Sequence, residues 1–266
     1  MTSQTIKRIA RIGLIAKGLI YCLIGILAFM SAFEIGGQTS KSTGKSAIFD
    51  MVQHLPAGKP ILILLIAGLL CYAFWRAVQF FNDTENKGSD FKGFGKRLRY
   101  LLSCIVYLSF AAVAFKTLLN GNQSKGGSGN QEMVSALINK PFGQGLVFIV
   151  AGIIAGIGIY QIFYGLSKKY KKHINTLNLQ STEAKYLLIS GIAGYVSRGV
   201  VWLVIAWLIF KAALHTNARE AGDTTSAFDF LEHSSYGSYL LAAIAAGLIL
   251  YGIFNFVRAR YEKFNI

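Results

Sequence analysis

The chain has 266 residues, of which 53% are hydrophobic and 15% charged, with a mean hydropathy of +0.46 and a formal net charge of +15. Soluble domains carry roughly 25% charged residues, so this balance excludes an ordinary soluble domain and points to the membrane class. The three cysteines, Cys22, Cys71 and Cys104, fall inside apolar stretches without Cys-x-x-Cys spacing, which argues against a disulfide framework or a zinc site.

Six apolar stretches follow in order, at about 13–33, 60–81, 100–119, 145–166, 194–214 and 236–257. A helix rising 1.5 Å per residue needs roughly 20 residues to cross the hydrocarbon core, so each stretch is read as one crossing. None alternates as a barrel strand would, and in lipid a helix pairs all its backbone polar groups internally. The first stretch is full length, lacks a small-residue cleavage site, and is expected to stay in the mature protein.

The basic, partly apolar lead-in Ile6-Lys7-Arg8-Ile9-Ala10-Arg11-Ile12 is expected at the membrane interface. The first stretch then reads Gly13-x4-Gly18-x2-Tyr21, with Lys17 inside it. In the following loop Gly44-Lys45-Ser46 is no phosphate loop, because Thr39 stands where the motif needs glycine. Apolar residues at 48, 51, 52 and 55 predict a short helix on the outer leaflet. The second stretch carries Gly68-x3-Tyr72 and then Arg76. The third is degenerate, with Tyr107 in the aromatic place and Arg99, Ser103 and Cys104 replacing Gly13, Lys17 and Gly18. Gly and Ser dominate 121–129, a turn signal. The fourth stretch reads Gly152-x3-Gly156-x3-Tyr160, the fifth Gly194-x4-Gly199-x2-Trp202 with Arg198 inside, and the sixth Gly247-x3-Tyr251. The acidic loop 215–233 has neither the His-Glu-x-x-His spacing nor a calcium-loop pattern, and is read as solvated loop.

The same two-helix unit therefore occurs three times, at 6–85, 91–172 and 183–263. Each copy holds two crossings, so all share one orientation. The predicted fold is all-α and integral to the membrane: six transmembrane helices as three parallel two-helix repeats around a pseudo-threefold axis. Nineteen of the Lys and Arg residues fall at the termini and alternate inner loops and eight on the opposite side, giving net charges of +14 and +1. By the positive-inside rule both termini are cytoplasmic. The basic surplus then marks topology and a surface for anionic lipid headgroups, not nucleic acid.

Lys17, Arg198 and Arg76 are the candidate cations of a pathway or a headgroup site, with Tyr21, Trp202, Tyr72, Tyr160 and Tyr251 as their aromatic company. An ionisable residue inside a crossing is costly and marks function by default. Near the cytoplasmic end, however, snorkelling to the interface is the favoured reading and a ligand or ion pathway the alternative. Gly18, Gly199, Gly68, Gly152, Gly156 and Gly247 are expected at close helix contacts, since small residues let backbones approach in lipid. No catalytic, cofactor or metal constellation gathers at one depth.

The triplicated unit, its Gly-x4-Gly-x2-aromatic opening with Lys17 or Arg198 inside, and its Gly-x3-Tyr second helix resemble the bacterial membrane family called domain of unknown function 1206, over nearly the whole chain. That resemblance implies a six-helix protein of the prokaryotic cell membrane and no assigned activity. The expected role is non-enzymatic, structural or accessory, with membrane lipids or other membrane proteins as partners and no cofactor. A transporter or channel along the pseudo-threefold axis is the alternative.

Overall fold

The computed structural model describes residues 3–35, 49, 52–53, 57–84, 88, 90–120, 129–170 and 181–262. Among them every regular element is helical: α1 (Ser3–Ala32), α2 (Gly58–Phe81), α3 (Phe91–Asn120), α4 (Gly129–Ile138), α5 (Gly143–Leu166), α6 (Ser181–Leu214), α7 (Thr224–Glu232) and α8 (Gly237–Tyr261), with a 3-10 turn at Ala218–Glu220. The six long helices α1, α2, α3, α5, α6 and α8 are each long and apolar enough to cross a membrane.

The helices that open each copy begin well before the apolar stretches. Nothing in Ile6 to Ile12 breaks a helix, and Ile6, Ala10 and Leu14 continue one buried face at four-residue spacing. The basic lead-in is thus the first turns of α1 itself, and α3 likewise begins ahead of its apolar stretch. Arg97 on α3 donates to the carbonyls of Phe80 (2.8 Å from Nε) and Phe81 (3.1 Å), satisfying the orphan acceptors at the end of α2.

Packing runs along the chain of helices α3, α2, α1, α8, α6, α5, each against the next. Glycines set these approaches. Within copy one, a Cβ on Gly13 would lie 2.6 Å from the Tyr72 Cα, and one on Gly68 would strike Ala16. Copy three repeats both contacts: a Cβ on Gly194 would lie 2.8 Å from the Tyr251 Cα, and one on Gly247 would strike Ser197. The second glycine of the opening motif faces a different copy. Gly18 lies against Gly252 and Phe256 of α8, and Gly199 against Gly158 and Ile162 of α5.

Copy two lacks this closure. Nothing lies within 4 Å of a Cβ built on Gly152 or Gly156, so these two glycines do not serve the helix packing expected of them. The cause is the residue opposite. Arg99 occupies the place of Gly13 and Gly194, and a long side chain there prevents the backbone approach that the glycines permit. Leu102, in the place of Ala16 and Ser197, is left exposed. An open seam between α3 and α5 results.

At the other end of the bundle, Asp223 caps α7 by accepting from the Thr225 and Ser226 amides (2.9 and 3.1 Å). Ala227, Phe228 and Leu231 face inward, so part of the stretch read as solvated loop is an amphipathic helix. Short α4 is tied to the same region by Asn130 donating to Gly222 O (2.7 Å) and Gln131 to Arg219 O (3.0 Å). The helix predicted around 48–55 lies mostly outside the described residues; of it, Phe49 and Val52 are buried.

Candidate functional site

Four-residue spacing puts Lys17 and Tyr21 on one face of α1, and Tyr72 and Arg76 on one face of α2. The glycine contacts turn those faces toward each other. Lys17 stands near the middle of α1 and is 4% exposed, so it does not snorkel out of the fold. Its Nζ donates to the Tyr72 hydroxyl at 3.0 Å. The same ammonium lies 5.0, 5.1 and 5.9 Å from the ring centres of Tyr72, Tyr251 and Tyr107, a cage drawn from three helices.

Copy three supplies the equivalent pair. Arg198 Nη1 donates to the Tyr251 hydroxyl at 2.5 Å, and its guanidinium lies over the rings of Tyr251 (4.6 Å) and Tyr21 (4.9 Å). Tyr21 packs edge-on to Tyr251 at 4.9 Å, and Tyr72 to Tyr107 at 4.4 Å. In both copies, then, the cation of the first helix holds the tyrosine of the second, and Tyr251 joins the two sets.

Arg76 extends the arrangement along α2. Its Nε donates to the Tyr72 hydroxyl at 2.9 Å and its Nη1 to Gln79 Oε1 at 2.6 Å, while the guanidinium lies 5.5 Å from the Tyr100 ring. The guanidinium of Arg99 also lies over the Tyr100 ring, at 5.2 Å. Arg99 Nη1 reaches across the seam to the Tyr160 hydroxyl at 2.7 Å. Tyr160 is itself exposed, so the copy-two counterpart of Tyr72 and Tyr251 is not part of the buried cluster. Trp202, one turn beyond Arg198, is half-buried on α6.

Electrostatics separate these four cations from a fifth. Arg258 on α8 forms a buried bidentate pair with Glu262, at 2.7 and 2.8 Å. Lys17, Arg76, Arg198 and Arg99 have no carboxylate partner among the described residues; they meet only phenol oxygens, ring faces and one amide. Desolvated cation–π contacts contribute about 2 kcal/mol each, whereas taking an ammonium or guanidinium from water costs several kcal/mol. Rings alone therefore offset part of the cost and leave the positive charge uncancelled. The Arg198 Nε is buried with no hydrogen-bond partner.

The cluster also draws in Arg99, Tyr100 and, as a cage wall, Tyr107, which no sequence pattern marks as site residues. Arg258 and Glu262 stand four residues apart, the spacing of a helical ion pair. At the opposite end of the bundle, cations meet a carboxylate. Lys211 lies 3.6 Å from Glu220, which also takes His215 at 2.9 Å. The bond from His215 holds the Glu220 carboxyl below the usual glutamate range.

Three comparisons bear on identity. The family described as Domain of Unknown Function (DUF1206) matches three times, at residues 12–81, 98–168 and 193–262, following the three copies. The chain is 26% identical over 261 residues to "Uncharacterized protein YxxB" of Bacillus subtilis (strain 168), covering 98% of this chain and 93% of that one. No solved structure matches. With three matches spanning most of its length, the chain belongs to the domain of unknown function 1206 family.

Proposed function

We propose that the chain is a multi-pass, non-enzymatic protein of the bacterial cell membrane, with three hairpins around an approximate threefold axis and both termini in the cytoplasm. One observation carries this reading: six apolar helices run through the bundle, and lysine and arginine concentrate at the ends that positive-inside topology assigns to the cytoplasm. Large apolar side chains such as Leu64, Ile149, Ile153 and Trp207 face outward, as a lipid-facing surface requires. The threefold arrangement is supported by the equivalent contacts between copies, α2 on α3, α5 on α6 and α8 on α1.

Its role is accessory: the cationic inner surface holds anionic lipid headgroups and other membrane proteins. A transport path through the bundle is the second reading, favoured by the convergence of Lys17, Arg76 and Arg198 on tyrosine hydroxyls inside the fold. Single-cysteine labelling in cells tests the topology. Sites after residue 262 should be shielded from impermeant thiol reagent, and sites in 121–128 should react; the reverse pattern overturns the reading. Anion and cation flux assays on liposomes containing the purified protein then decide between the two roles.

A further inference from the structure

Cations and tyrosines alternate from the open seam to the centre of the bundle: Tyr160, Arg99, Tyr100, Arg76, Tyr72, Lys17, Tyr251, Arg198. The links are Arg99 to Tyr160 (2.7 Å), Arg76 and Lys17 to one Tyr72 hydroxyl (2.9 and 3.0 Å), and Arg198 to Tyr251 (2.5 Å). Two further steps are guanidinium-on-ring contacts of Arg99 and Arg76 with Tyr100. Four cationic side chains are thus strung together, and among the described residues no carboxylate stands between them. Like charges repel more strongly where water is excluded, as at buried Lys17 and at the buried Nε of Arg198.

We infer that this file is a binding site for a phosphate-class oxyanion, entered through the seam between α3 and α5. The inner end has the donors for it. Arg198 spends one guanidinium hydrogen on Tyr251, and its Nε–H is buried and unused. An Nε/Nη edge is the geometry that grips two oxygens of a phosphate at once. Lys17 approaches the same Tyr251 ring from α1 and adds a second charge with three rotatable donors. The outer end explains the entry. Arg99 and Tyr160 are both exposed and bridge the seam by one hydrogen bond, which a competing anion replaces. Beside them Gly156 and Leu102 leave room that the corresponding positions of copies one and three fill.

The oxyanion belongs either to a phospholipid headgroup, for which the seam is a side door, or to free phosphate. The inference rests on the membrane reading above for the lipid source alone, since phosphate binding can be measured in detergent whatever the topology. Purified protein is titrated with inorganic phosphate in detergent, and separately placed in nanodiscs of phosphatidylcholine with or without phosphatidylglycerol. The readouts are tyrosine near-UV difference absorbance and the unfolding midpoint.

A saturable signal with phosphate identifies the free ion; a signal with phosphatidylglycerol alone identifies the lipid. Lys17→Met and Arg198→Met should each weaken binding about 10-fold or more, the loss of one charge-assisted contact. Lys140→Met, exposed at the opposite end of the bundle, should leave it unchanged. Absence of a saturable signal from wild-type protein with both probes overturns the proposal, whether or not the variants fold. Equal affinity in folded Lys17→Met and Arg198→Met overturns it too.

Discussion

Copies one and three close their hairpins and copy two does not, although all three keep the second-helix tyrosine. The difference is carried by one position. Gly13 and Gly194 let the first helix touch the backbone of Tyr72 and Tyr251. Arg99 stands in that place in copy two, and contact is reduced to a side-chain bridge to Tyr160. The cation has moved as well. Lys17 and Arg198 each lie four residues past their glycines and are drawn inside, whereas copy two has Ser103 there and carries its charge one turn earlier, at the surface. A repeat that has lost its glycine thus turns from a packing unit into an opening, and its arginine becomes the outer end of a file that the other two copies complete.

The strongest way to break this comparison is to fill the glycines. Gly68→Leu and Gly247→Leu should destabilise the fold by about 3 kcal/mol or more, because the new side chain meets Ala16 or Ser197 on a neighbouring helix. Gly156→Leu, at the matching place in copy two, should stay within about 0.5 kcal/mol, as an exposed substitution does. Thermal unfolding in detergent measures all three. A Gly156→Leu loss as large as the others would mean that the seam is closed.

Much of this contrast could be read from sequence. The three copies, their order and the closing glycines follow from Gly13-x4-Gly18, Gly194-x4-Gly199 and the Gly-x3-Tyr signatures, since close helix approach demands small residues at regular spacing. The orientation of the helices about their own axes could not. Where the outward face of a bundle is as apolar as the inward one, periodicity does not separate Lys17 pointing in from Lys17 snorkelling out. Gly152 and Gly156 show the same limit: a small-xxx-small pattern records that a close approach is possible, and whether it occurs depends on Arg99 and Leu102 of another helix. The cage around Lys17 draws on Tyr107 and Tyr251, and no local pattern near residue 17 announces either.

A second comparison is between the paired and the unpaired cations. Glu262→Gln leaves Arg258 buried without its counter-charge and should cost roughly 2 kcal/mol, less than a deep pair because the site lies at a helix end. Lys17→Met removes a cation that has no carboxylate to orphan, so in anion-free buffer stability should change by less than about 1 kcal/mol or rise. Chemical unfolding of both variants checks the contrast. A large loss in Lys17→Met without added anion would show that the tyrosine cage alone compensates the charge.

The smallest effect belongs to the end of the bundle that holds Glu220, where charges are paired and exposed. The Glu220 carboxyl, held by His215 and then by Lys211, has its pKa lowered on folding. A lowered carboxylate pKa contributes stability that is present above the unfolded value, about 4.3 for glutamate, and is lost as the pH falls through the lower folded value. The Glu220 contribution should therefore be complete and independent of pH near neutrality, with its loss confined to acid. Comparing the acid limb of the unfolding midpoint in wild type and Glu220→Gln tests this: the variant should have a slightly flatter limb, and identical limbs would show that solvent screens the pair completely.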